Sequence, residues 1–308
     1  MATPELTVGV PVLRAQRRRW GEDLIRLALF GAALVSVATT IAIIVALLKP
    51  ALDFFAEISP WEFLSGTTWA PLFEPAHFGV LPLIVGTLVV TFWACVIAIP
   101  CGLGAAIYLS EYANDRVRRV IKPLLEILAG IPTVVYGYFA LTFFTPFLRD
   151  VGVDVEIFNV LSAGLVIGVM LIPTVASLSE DAMFAVPHDL RDGGYALGAT
   201  RRQVSTRIVV PAAISGIVAS FVLAVSRAIG ETMIVLIAAG QLARISFDPR
   251  ESVETMTAFI AATGNGDVPT GSVEYKTIFA VGLLLFVMTL IMNIISIRLV
   301  RKYREVYE

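Results

Sequence analysis

Six long apolar stretches restrict this chain to very few folds. They lie at about 24–48, 80–109, 123–147, 158–180, 209–239 and 277–299. A helix needs about 20 such residues to cross the hydrocarbon of a bilayer. Only helices and closed barrels satisfy their own backbone there, and runs of this length suit helices. The first run is longer than a signal-peptide core of about 7–15 residues, so it is read as an uncleaved span. A composition 57% hydrophobic, with mean hydropathy +0.83, exceeds that of an ordinary soluble domain. The expected fold class is an all-α membrane protein with six transmembrane helices.

The net charge of −2 says less than the placement of the cations. Arg14, Arg17, Arg18, Arg19 and Arg26 flank the first run. Arg116, Arg118, Arg119 and Lys122 lie between the second and third runs. Arg191, Arg201, Arg202 and Arg207 lie between the fourth and fifth, and Arg298, Arg301, Lys302 and Arg304 follow the last. The alternate connections hold only Lys49, Arg149, Arg244, Arg250 and Lys276. Cytoplasmic loops carry the excess of Lys and Arg. Both termini and the segment 187–211 are therefore expected in the cytoplasm, with a tail at 1–19 and a transmembrane domain at 20–305.

The stretch 192–232 organises the rest. Its first half is polar and basic. A helix should start at His188 or Asp189 and run to about Leu197, with Leu190, Gly194 and Leu197 on one face. Gly198 suits the left-handed residue that ends a helix. Thr200 followed by Gln203 has the form of a capping box. The adjacent Gly193 and Gly194 cost roughly 1 kcal/mol each against Ala in a helix, and they would let a partner's backbone come close. Two readings remain open at this point: a helix lying on the lipid surface, or a docking element.

The second half is apolar. Between Arg207 and Arg244 its only charges are Arg227 and Glu231. A spacing of four puts them on one face of a continuous helix, and an arginine near the membrane centre is costly. They form either a structural ion pair or an anion station, since a guanidinium binds phosphate through a planar fork.

These residues carry a resemblance. Asp192-Gly193-Gly194, three residues, Gly198, nine residues, and Ile208-Val209-Val210-Pro211 reproduce the spacing of the EAA loop of ABC-importer permeases. Asp stands for the usual Glu, two glycines for alanines, and Val210 for Leu. Three further stretches resemble the phosphate-specific branch: Ser226-Arg227-Ala228-Ile229-Gly230-Glu231-Thr232-Met233, then 129–137 (AGIPTVVYG) and 78–88 (FGVLPLIVGTL). The last, with Trp69-Ala70-Pro71 before it, looks like the PstC type of subunit rather than its sister type, PstA. The resemblance covers about residues 20 to 305.

It implies the type I ABC-importer permease fold. It also implies that Asp192, Gly193, Gly194, Ala196, Leu197, Gly198, Ile208 and Pro211 couple to an ATPase. Arg227, Glu231, Thr232 and Ser226 would line the substrate pathway, with Glu231 as the resting partner of Arg227. The implied partners are a sister permease of the PstA type, two ATPase subunits of the PstB type, an external phosphate-binding protein of the PstS type, inorganic phosphate and membrane lipid. The alternatives are a permease for another oxyanion (sulfate, molybdate or phosphonate), a proton-coupled secondary transporter, or a membrane scaffold.

The string also bounds the chemistry. A Walker A loop needs Gly-Lys followed by Ser or Thr, and none of Lys49, Lys122, Lys276 and Lys302 follows a glycine. ATP hydrolysis is thus expected in a partner, with no catalytic residue, cofactor, metal site or nucleic-acid partner here. Cys95 and Cys101, six residues apart on one helix, point to different faces, which argues against a disulfide. Ser59-Pro60-Trp61-Glu62 reads as a capped helix on the outer surface, and Val253, Met256, Phe259 and Ile260 as another. These outer loops could receive a substrate-delivering protein or pack at the interface. Thr133, Tyr136, Tyr138 and Thr142 make a polar stripe, open to a structural or a pathway reading.

Overall fold

The computed structural model describes residues 20–303; the expected tail, 1–19, lies outside the described residues. The chain divides into two compact units, 1–46 and 47–308. Helix α1 (Trp20–Glu57) runs through the boundary. Within the first unit its residues 21–46 are all exposed. A helix apolar on every face and buried nowhere fits direct contact with lipid.

In the second unit the end of α1 gives Phe54 to an aromatic cluster. Its partners are Phe63 of α2 (Pro60–Ser65), Trp69 of β1 (Trp69–Ala70) and Phe78 of β2 (His77–Phe78). Phe54 meets Phe63 and Phe78 edge-on, with centroids 5.7 and 5.6 Å apart, the favoured geometry for aromatic pairs. The antiparallel pair β1–β2 sets Trp69 opposite Phe78. Sequence reading missed this hairpin. It also expected Ser59 to cap α2, but the Ser59 side chain makes no cap bond. The short helix is held by Phe63, 1% exposed, inside the cluster.

Helix α3 (Leu81–Ile107) continues into a wide π turn, Tyr108–Tyr112. Next come α4 (Asp115–Gly130), capped by Asn114, then α5 (Thr133–Phe139), a π turn at Ala140–Phe144 and α6 (Thr145–Asp150). The expected span at 123–147 is not one continuous helix: the chain bends by 87° between Gly130 and Thr133. Pro132 explains this, because it drives the residue before it out of the helical region, and Ile131 has ψ 130. The Tyr136 hydroxyl donates to the Leu128 carbonyl at 2.8 Å across the bend. Thr142 donates to the Tyr138 carbonyl at 2.8 Å. Those two members of the polar stripe serve the backbone.

Helix α7 (Val160–Phe184) is capped by Asn159 and packs along α3. A Cβ on Gly164 would stand 2.8 Å from the Trp93 Cβ, and one on Gly168 2.7 Å from the Ala94 carbonyl oxygen. Small residues let membrane helices approach this closely. After α7 come α8 (His188–Ala196), α9 (Arg201–Val204), a π turn at Ser205–Val209, α10 (Val210–Ala212) and α11 (Ile214–Ile229). The segment Arg201–Ala212 meets α11 at 71°. The fifth run is therefore broken near Ala213, and again at Gly230 before a π turn at Val235–Ala239. Helix α12 (Met256–Gly264) starts behind its cap Thr255, three residues later than Val253. Val253 lies in extended chain, bonded to the Ala239 carbonyl at 3.1 Å. Helix α13 (Val273–Tyr303) closes the fold.

Among the described residues four helices are long and apolar enough to cross a membrane unbroken, and up to six spans result if each bent pair counts as one. The all-α membrane class holds. Cys95 and Cys101 are both free.

Candidate functional site: a coupling hairpin and a broken helix

The polar half forms the expected helix–turn–helix. Helix α8 ends at Ala196, and Gly198 takes φ +78. Thr200 and Gln203 make the capping box in both directions, Gln203 N to Thr200 Oγ1 at 3.4 Å and Thr200 N to Gln203 Oε1 at 2.8 Å. The two glycines differ in role. A Cβ on Gly193 would meet nothing within 4 Å, whereas one on Gly194 would stand 2.6 Å from Ile208 Cδ1. Gly194 therefore admits this chain's own Ile208 and Val204, not a partner. Asp192, Gly193, Ala196, Leu197 and Gly198 are exposed, and so is Pro211. Leu197 is 91% exposed, an apolar side chain at the tip of the turn with no cover.

The apolar half departs from expectation at its two charges. Arg227 and Glu231 do not pair, because α11 stops at Ile229 and Gly230 turns the chain. The Glu231 carboxylate instead accepts from the backbone of Met233 at 3.1 Å and Ile234 at 3.3 Å. It caps the short helical segment that resumes there, as a carboxylate does at a helix start. Its carbonyl accepts from Thr257 Oγ1 at 2.6 Å. Glu231 is thus the pin of the break, and its expected role as resting partner of Arg227 does not hold.

Arg227 is exposed, and its Nη1 donates to Thr174 Oγ1 at 3.0 Å. Among the described residues it has no carboxylate partner. Thr174 lies midway along α7, next to Pro173. The Ser226 hydroxyl is buried without a hydrogen-bond partner among the described residues. Thr232 Oγ1 returns to the Gly230 carbonyl at 3.2 Å. Behind the break α5 comes very close: a Cβ on Gly137 would stand 3.1 Å from Ile234 Cα. Glu254, 8% exposed, precedes the cap of α12. Burial pushes its carboxyl up to about 8.

Sequence reasoning missed the side chains that continue from Arg227 along α7. A cavity of about 200 Å³ between α4 and α7 is lined by Lys122, Glu126, Pro173, Thr174, Ser177 and Glu180. Glu180 is 1% exposed and lies 2.6 Å from Arg118 and 3.4 Å from Lys122. Removing these part-exposed cations would leave a buried carboxylate unpaired, so the contact fastens α4 to α7. The signal was present as Thr174, Ser177 and Glu180, polar at helical spacing in an apolar run.

The chain matches the family model described as "Binding-protein-dependent transport system inner membrane component" over residues 98–305. It is 36% identical over 293 residues to the probable ABC transporter permease protein YqgH of Bacillus subtilis, covering 94% of each chain. It is 32% identical to the phosphate transport system permease protein PstC of Haemophilus influenzae, covering 86% of this chain and 91% of that protein. Among solved structures it matches a bacterial ABC transporter that imports alginate, with TM-score 0.61, 18% identity, and 93% and 100% of the two chains covered. An inward-facing MetNI methionine ABC transporter matches at TM-score 0.54 and 20% identity, over 74% and 95%. The fold is that of type I ABC-importer permeases.

Proposed function

Because this chain belongs to the family of binding-protein-dependent transport system inner membrane components, we propose that it is a permease subunit of an ATP-driven importer of inorganic phosphate. The observation that carries this reading is Arg227, which among the described residues has no carboxylate partner and donates to Thr174 beside a broken helix. The relatives named for phosphate transport support the cargo. A guanidinium left without a carboxylate has donors free for a tetrahedral oxyanion, and its planar fork gives two aligned bonds. The neutral Thr174 hydroxyl holds it without neutralising it. Phosphate held by one cation can leave again, as transport requires.

The chain makes half of a pathway; a sister permease of the PstA type makes the other. Of two ATPase subunits of the PstB type, one docks on the exposed residues around Gly198. An external binding protein of the PstS type delivers phosphate at the opposite end. The connection 187–211, which holds α8, α9 and the four arginines Arg191, Arg201, Arg202 and Arg207, faces the cytoplasm. ATP binding closes the ATPase pair, pushes the hairpin and tilts the helices, so that Arg227 is exposed first to one side and then to the other.

Replacing Arg227 with Gln tests the reading. In vesicles holding the assembled complex, phosphate uptake should fall by about a hundredfold, the cost of one charged hydrogen-bonding group of roughly 2–3 kcal/mol. Complex yield should stay normal. Lys should restore part of the rate, since it keeps the charge and loses the fork. Wild-type uptake in the Gln variant would remove Arg227 from the pathway.

A further inference from the structure

The cytoplasm-facing end of α3 does more than terminate a span. It continues directly into the π turn Tyr108–Tyr112. Such a turn widens the helix and re-aims its side chains, and here two consecutive ones reach the coupling hairpin. Glu111, 6% exposed, receives Arg191 of α8 through Nη2 at 3.0 Å. Tyr112 lies under the guanidinium of Arg201 of α9, 5.3 Å from ring centroid to Cζ. One helix on each side of the Gly198 turn is therefore tied to the same turn of α3.

Arg191 makes a second connection. Its Nη1 donates to the Val186 carbonyl at 2.6 Å and its Nη2 to the Met183 carbonyl at 2.8 Å. These carbonyls lie at and just beyond the end of α7, where a helix leaves acceptors unsatisfied and favours a cation. One guanidinium thus joins α3, α7 and α8. Beneath it, Ala106, Met183, Val186, Val204, Val209 and Ile217 form one buried apolar cluster. Packed interiors of this kind transmit displacement with little give.

We propose that Glu111 and Tyr112 form a latch that makes the coupling hairpin, α3 and α7 move as one piece. Its output is Thr174, nine residues before Met183 on α7, which holds Arg227. The latch is a positioning device: neither residue touches phosphate or ATP. It turns a push on the exposed tip near Leu197 into a shift of the Arg227 station. The inference deepens the proposed function and relies on it for the identity of the load.

The test uses the full complex in vesicles, with inorganic phosphate as the probe, and measures phosphate taken up per ATP hydrolysed. Glu111→Gln and Tyr112→Ala should each lower that ratio by about fivefold or more, the scale of a coupling between sites. Recovery of the ATPase with the permease should not change. Tyr112→Phe keeps the ring and should match wild type. Tyr112 is 39% exposed, so its variants keep the proposal testable if Glu111→Gln does not assemble. An unchanged ratio in Tyr112→Ala, or equal loss in Tyr112→Phe and Tyr112→Ala, would overturn the latch. Arg227→Gln measured alongside separates the two ideas. Normal uptake there removes the station and leaves the latch. Lost uptake there, with normal ratios in the latch variants, removes the latch alone.

Discussion

Glu231 illustrates how one residue can look like part of a pair and act as something else. A spacing of four implies a partner only if the helix between is continuous. Gly230 breaks that helix, and the carboxylate turns to the free N–H groups of Met233 and Ile234. Glu231→Ala should therefore lower the thermal midpoint of the purified complex, through loss of a cap of about 1 kcal/mol. Glu231→Gln keeps an acceptor oxygen and should lie closer to wild type. Equal midpoints for the two variants would contradict the capping role. The sequence named Arg227 and Glu231 because charges in an apolar run are rare and costly. It could not reveal Thr174 as the neighbour of Arg227, since 53 residues separate them and only packing brings them together.

Among elements, those defined by local bonds were legible and those defined by packing were not. The turn at Gly198 and the cap at Thr200 each need only residues within a few positions of one another, and both appear as expected. A proline within a membrane span can be tolerated without ending it, yet at Pro132 the chain turns by 87°. Whether neighbours re-satisfy the freed carbonyls or the helix ends is a tertiary matter. Ser59 had every local mark of a cap and does not act as one, because the aromatic cluster around Phe63 fixes that helix. The Gly198 turn carries a prediction of its own. Its φ of +78 is one that a β-branched residue resists, at about 1–2 kcal/mol, although a side chain there would meet nothing within 4 Å. Gly198→Val should leave membrane insertion intact and lower phosphate uptake more than ATP hydrolysis. Cross-linking of residues 190–198 to the ATPase should then drop against wild type. Unchanged uptake would mean that the turn geometry does not govern coupling.

At the scale of the whole molecule, the proposed coupling and pathway residues are joined by a chain of contacts. The exposed hairpin tip leads through the end of α3 and α7 to Thr174, and from there to Arg227 beside the break. The helices α3 and α7 pack closely at Gly164 and Gly168, and close packing transmits displacement with little give. The hydropathy pattern made the class of fold legible, and the motif spacings made the family legible. The chain of contacts depends on pairs such as Arg191 and Glu111, 80 residues apart, which no local pattern encodes. The most direct measurement of the account is uptake into vesicles holding this chain, its sister permease, the ATPase and the binding protein. Labelled phosphate should enter only with ATP, should continue when the proton gradient is collapsed at constant ATP, and should not be displaced by excess sulfate. Uptake by this chain alone under a pH gradient, or equal transport of sulfate, would contradict it.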